Sequence, residues 1–281
     1  MKKINSLLSF VAVASFLCGC GNEINDNTDN SINIVTSISS EDIARSPVLD
    51  ETGKGNFMNG DIFSLAVSNS EKEYVLKDFI VGTSDFKWSD LNISSGNGKV
   101  AFLACYPKQN IKDGKFTFDL ATVDEKDLLL AKVEGVAINA AEPVYLNFRH
   151  AMHKLDIYYN LEEDINVTTR CEALSTCEVN MFENTVTAQN GKKTVFTQSG
   201  KNISFLIVPQ QTADVTLNIT YGNKTKSYVL NEIIKDYNQL ESGKKMELTL
   251  NVKNGDIQIE NPTIGDWGNQ GSVDGLTLIH I

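Results

Sequence analysis

The sequence predicts an all-β protein of the β-sandwich type, and three observations carry that prediction. Short strand-like runs recur at intervals of roughly ten residues, the spacing of sandwich strands. Within many of them apolar and polar residues alternate, so that side chains two apart share one face. Only Asn231 to Leu240 shows helical spacing, through Ile233, Ile234, Tyr237 and Leu240. With 41% hydrophobic and 22% charged residues over 281 positions, the chain can bury substantial cores.

Met1 to Cys20 joins Lys2 and Lys3 to an apolar run, Leu7 to Leu17, too short for a permanent membrane span. This is an export signal. Its end, Leu17-Cys18-Gly19-Cys20, resembles the bacterial lipoprotein box, which implies acylation of Cys20; ordinary cleavage leaving a free Cys20 thiol is the alternative. Gly21 to Ser31 is rich in Asn and Asp and reads as a tether. From Ile32 the pattern changes, with Ile32, Ile34, Thr36 and Ile38 on one parity of a half-buried strand. A polar connection leads to Arg45, one of only three arginines, followed by Ser46 and Pro47. Such a place is easily nicked, although a solvated loop arginine explains it equally.

Further strands are expected at Ile62–Val67, Tyr74–Val81, Lys99–Tyr106, Gly114–Leu120 and Pro143–Tyr159. In the last of these, Val144, Leu146, Phe148 and Met152 keep one parity and Leu155, Ile157 and Tyr159 the other. A parity switch needs a bulge or break, placed near His153 and Lys154. Asp127–Ala131 is apolar but too short to assign by period. Beyond Tyr159, strands are expected at Ile165–Thr169, Glu178–Phe182, Thr185–Gln189, Lys193–Thr197, Ile203–Val208, Val215–Tyr221, Lys226–Leu230, Met246–Val252 and Asp256–Ile259. Length and Pro143 suggest a division into 46–143 and 144–281, after a signal (1–20) and a tether with first strand (21–45).

The composition excludes several functions. Lys and Arg total 25 against 36 Asp and Glu, a net charge of −11, which repels nucleic acid. No Gly-x-Ser-x-Gly, His-Glu-x-x-His or phosphate loop occurs, so no catalytic residue and no cofactor is assigned. His150 and His153 fall on opposite faces of a regular strand, which argues against a shared metal. Cys171 and Cys177, six apart in an exported chain, leave two readings: a local disulfide, or two thiols held too far apart within one strand. Cys105 alternates with apolar neighbours and reads as a buried thiol.

Several local strings together resemble the fimbrillin family, the pilin-like surface lipoproteins of Bacteroidia. They are Asn59-Gly60-Asp61-Ile62, Ala101 to Pro107, Asp127-Leu128-Leu129, Phe148-Arg149-His150 with Lys154-Leu155, Ile207-Val208-Pro209-Gln210 and Ile264-Gly265-Asp266-Trp267. The resemblance implies two transthyretin-like β-sandwich domains in tandem and a lipoprotein precursor in the outer membrane. It also implies cleavage between Arg45 and Ser46, loss of the strand carrying Ile32, Ile34 and Ile38, and assembly with other fimbrillin subunits by strand exchange. Leu276, Leu278, Ile279 and Ile281, an apolar terminus after a glycine-containing stretch, are the expected donor strand, unless they close their own sheet. A host or bacterial surface receptor is the implied further partner. The alternative is a monomeric lipoprotein that binds glycan through a sandwich face bearing Trp88, Tyr158 or Trp267.

Overall fold

The computed structural model describes residues 31–38, 55–124, 126–161, 166–253, 256–259 and 263–266. The expectations for Cys20, Arg45, Ser46, Trp267, Leu276, Leu278, Ile279 and Ile281 concern residues outside these. The first half contains β1 (Ser31–Ile32), β2 (Ile34–Ile38), β3 (Ile62–Ser68), β4 (Tyr74–Ile80), β5 (Phe86–Lys87), one helical turn α1 (Trp88–Leu91), β6 (Lys99–Tyr106), β7 (Lys115–Asp119), β8 (Leu129–Ala137) and β9 (Val144–His150). There follow β10 (His153–Leu161), β11 (Val167–Leu174), β12 (Thr176–Asn180), β13 (Thr185–Ala188), β14 (Lys193–Ser199) and β15 (Asn202–Ile207). The last elements are β16 (Thr216–Tyr221), β17 (Lys224–Val229), a second helical turn α2 (Leu230–Ile233), β18 (Lys244–Lys253), β19 (Asp256–Ile259) and β20 (Thr263–Asp266).

A six-stranded sheet, ordered β2-β9-β8-β6-β3-β4, organises the first half. One face carries Phe63, Leu65, Phe102, Leu146 and Phe148 against Phe57, Trp88 and Leu91. The opposite face carries Ala66, Leu103, Cys105 and Leu130 into a different core. Burial on both faces is why β3 and β6 read as nearly continuous apolar runs instead of alternating ones. The second half is a sandwich in which a sheet ordered β15-β10-β18-β19, with β20 also on β18, packs on one ordered β14-β11-β16-β17. Leu155, Ile157, Phe205, Leu217, Leu248 and Leu250 fill the space between. Here β10 and β18 run parallel, so the half cannot be a plain meander.

A third sheet joins the halves. In the order β13-β12-β7, Phe118 of β7 stands opposite Cys177 of β12, and Phe116 opposite Val179. Their side chains cover the second face of the six-stranded sheet. One strand of the first half thus pairs with strands of the second, so the two halves share a sheet. Val144–His150 pairs with β2 and β8, and the chain changes sheet at Ala151–Met152, close to the predicted parity switch.

One further expectation is corrected. The helix expected over Asn231–Leu240 is a single turn, Leu230–Ile233, closed by the Ile234 amide donating to the Leu230 carbonyl at 3.0 Å. Leu240 is instead drawn away by its backbone N–H, which donates to the Gln210 carbonyl at 2.8 Å, so the apolar spacing serves packing in an irregular segment. Of the two readings of Cys171 and Cys177, the structure shows the second, with both present as free, buried thiols. The chain is extended through both, and six residues at about 3.3 Å each span far more than the ~4.4–6.8 Å between Cα atoms that a disulfide tolerates. Cys171 enters the second-half core and Cys177 the joining core.

Candidate functional site

The first strand and the edge that receives it form the candidate site. β1 lies antiparallel to β5, with Ile32 opposite Phe86, and β2 lies parallel to β9, from Ile34 opposite Val144 to Ile38 opposite Phe148. Between the two strands the Asn33 carbonyl accepts the Val144 amide at 2.8 Å. At the far end the Ile38 amide donates to the Gly55 carbonyl at 3.2 Å. Eight residues, Ser31 to Ile38, thus bridge from the β5–α1 corner to the outer edge of the six-stranded sheet.

The side chains follow the expected parity. Ile32 and Ile38 are buried, and Ile34 packs against the same core. On the opposite parity Val35 stands 39% exposed, and its register partner Tyr145 is 63% exposed. Beneath Ile38, the Phe148 ring meets Phe57 at 4.7 Å and Phe63 at 5.1 Å between centroids, edge to face. Tyr106 reaches the same Phe57 ring at 5.2 Å. The first strand therefore caps an aromatic cluster, while its own outer edge bears no further strand among the described residues. Withdrawing it would free the hydrogen-bonding edge of β9 and uncover Leu146 and Phe148. Such a slot can bind an extended peptide: its backbone gives affinity and its pockets give register.

The end of β9 is fixed by polar contacts. His150 accepts or donates at Nδ1 with the Asp127 carboxylate, 2.9 Å away, so the histidine beside Phe148 is a structural one. Burial lowers the His153 pKa to about 4, so its ring is neutral near pH 7 and Nδ1–H donates to the Glu241 carbonyl at 3.0 Å. Ser242 Oγ donates to the Ala151 carbonyl at 2.8 Å, and the Gly243 amide to the Met152 carbonyl at 3.1 Å. These contacts pin the junction where the chain leaves the first sheet. The two histidines serve different partners, and no group of three or more metal-ligating side chains occurs among the described residues.

Sequence reasoning missed the part played by Gln210. Its side chain accepts the Leu174 amide at 3.0 Å and donates to the carbonyls of Leu174 and Val208 at 3.1 and 2.9 Å. It so substitutes for a strand at the point where β11 gives way to β12. The only signal was its position after Ile207-Val208-Pro209. Trp88 does not offer a glycan platform: it is 6% exposed, its Nε1 donates to the Ala140 carbonyl at 3.3 Å, and its ring meets Phe102 edge-on. Tyr158 is partly buried. Among the described residues no helix is long and apolar enough to cross a membrane.

Comparison with known proteins agrees with this architecture. The profile of the family described as fimbrillin-like matches residues 54–267. A candidate cell-adhesion protein of Bacteroides uniformis superposes with a TM-score of 0.62 at 16% identity, covering 85% of this chain and 99% of that one. Another from Bacteroides ovatus gives 0.60 at 17%, covering 84% and 97%. A fimbrial assembly protein of Parabacteroides distasonis gives 0.54 at 11%, covering 89% and 100%. At these identities the likeness concerns the fold. No curated protein matches the chain.

Proposed function

The chain belongs to the fimbrillin-like family, and on that premise we propose that it is a structural and adhesive subunit of a surface pilus, with no catalytic role. In this reading it is exported as a lipoprotein on Cys20, and the several acyl chains of such proteins hold it in the outer membrane before assembly. Cleavage between Arg45 and Ser46 then releases the segment carrying Ile32, Ile34 and Ile38. A strand from another subunit takes its place, and the residues from Leu276 to Ile281 are the donor we favour. The second half, two sheets closed on one core, is the unit we read as transthyretin-like.

One observation carries the proposal: the first strand is a short parallel edge strand that lies over the aromatic core and is held on one side by a single five-residue ladder to β9. Burial of an isoleucine side chain contributes roughly 1.5 to 3 kcal/mol. The buried Ile32 and Ile38, with the partly buried Ile34, together reach the lower end of the stability of an ordinary domain, about 5 to 15 kcal/mol. A chain deprived of this strand is therefore driven to find a replacement. The fold shared with cell-adhesion and fimbrial assembly proteins supports a role at the cell surface among like subunits.

The test is assembly in vitro. Full-length protein treated with an arginine-specific protease should yield a ladder of polymers that survives unheated SDS electrophoresis. The Arg45→Gln protein should stay monomeric under the same treatment. A ladder of equal strength from that variant, or none from the cleaved wild type, would rule out strand exchange after this cleavage.

A further inference from the structure

Away from the first strand, the second face of the six-stranded sheet is covered only in part by the joining sheet. Where cover ends, a cleft of about 260 Å³ remains. Its floor results from a bulge. Val100 pairs with Val136 and Phe102 with Val133, so Ala101 faces two residues, Glu134 and Gly135, and the ladder opens. Gly135 has φ +76° and nothing within 4 Å of where a Cβ would stand, so the floor there is bare backbone beside the small Ala101 side chain.

Lysines rim this hollow on a protein whose net charge is −11. Lys99 is exposed and has no ion pair among the described residues. Lys132 donates to the Phe182 carbonyl at 2.7 Å and pairs with Glu134 at the same distance. Lys72 lies 5.6 Å from the centre of the Phe182 ring and 3.8 Å from Glu183. Phe182 forms the wall, with its ring held edge-to-face by Tyr74 at 5.8 Å. A floor of Ala101 and bare Gly135 backbone, an aromatic wall, and a rim of lysines, one without an ion pair among the described residues and two beside acids, describe a small-ligand site.

We propose that the cleft between the β6–β8 bulge and the Phe182 turn binds a carboxylated sugar residue of an acidic glycan. The carboxylate faces Lys99 and Lys72, and the sugar ring lies between Ala101 and Phe182. The cavity holds about one monosaccharide. Lysines, unlike arginines, offer point charges and no bidentate fork, so a single site binds weakly and in a salt-dependent way. Repetition along a fibre converts weak sites into avidity. This inference deepens the adhesive half of the proposed function and rests on it, yet its test needs only the monomer.

Amide NMR shifts of the full-length, uncleaved protein are followed while glucuronate, glucose, acetate or a short oligoglutamate is added, and polygalacturonate tests the polymer as source. Glucuronate should move residues near Lys99, Lys132 and Gly135, glucose should not, and acetate and oligoglutamate should act at least about tenfold more weakly. Lys99→Glu, which breaks no contact among the described residues, should leave the melting temperature in place and weaken glucuronate by about tenfold, the loss of one charge-assisted contact. Equal response to acetate or oligoglutamate, shifts elsewhere, or an indifferent Lys99→Glu would overturn the proposal. Because cleavage and polymerisation play no part, neither result bears on strand exchange.

Discussion

Ile38 lies in parallel register with Phe148, and both side chains are buried, at 3% and 0% exposure, although Ile38 sits on the outermost strand of its sheet. An edge strand that contributes to the core in this way seals it. Ile38→Ala should therefore cost roughly 2 to 4 kcal/mol in urea unfolding, through lost burial and the cavity left over Phe148. Tyr145→Ser, on the exposed face of the neighbouring strand, should change stability by less than about 0.5 kcal/mol. Equal effects would mean that the first strand is not packed as described.

Gly114 supports the joining sheet. Its φ of +70° is strained for any other residue, and an added Cβ would run into the edge of the Phe182 ring. Gly114→Ala should destabilise by at least roughly 2 kcal/mol, since both backbone and packing resist it. Hydrogen exchange should show the loss centred on β7 and β12, whose pairing ties the two halves together.

Acid should loosen the β9–β10 junction through His153. Its pKa is lowered to about 4 by burial, whereas the unfolded chain takes the proton near 6.5. The contribution is thus complete above pH 6.5, falls as the pH drops towards 4, and is spent below that. Over that window it amounts to a loss on the order of 3 kcal/mol. Urea midpoints measured from pH 7 to pH 4 should fall more steeply for the wild type than for His153→Leu, and parallel slopes would contradict the assignment.

The three described thiols should be silent in the native protein. Burial pushes Cys105, Cys171 and Cys177 each up to about 12, so none offers a thiolate near pH 8. Iodoacetamide should leave all three unmodified until denaturant is added and then label each, with no reductant required. A requirement for reductant at Cys171 or Cys177 would restore the disulfide.

Most of this fold was legible because half-buried strands announce themselves by parity. Ile32 to Ile38, Val144 to His150 and the switch before Leu155 could be read from side-chain alternation alone. Where charge or glycine interrupts the pattern, reading failed: the second part of β8, with Lys132, Glu134 and Gly135, gave no alternation because its bulge resets the register. The pairing of β7 with β12 left no local trace at all, since the strands are far apart in sequence and each looks like an ordinary hairpin arm. Asn231 to Leu240 deceived for the opposite reason, as four apolar residues at helical spacing are held by Gln210 and local turns. Of the candidate site, Ile32, Ile34 and Ile38 were found from sequence, whereas the receiving edge and the Phe57–Phe148 contact required the tertiary arrangement.

The most direct test of strand replacement is the mature N-terminus of the protein in native fibres, determined by mass spectrometry. An unlipidated chain beginning at Ser46, with Ile32 to Ile38 gone, is the expected result. A chain beginning at acylated Cys20, with the first strand still attached throughout the fibre, would contradict it.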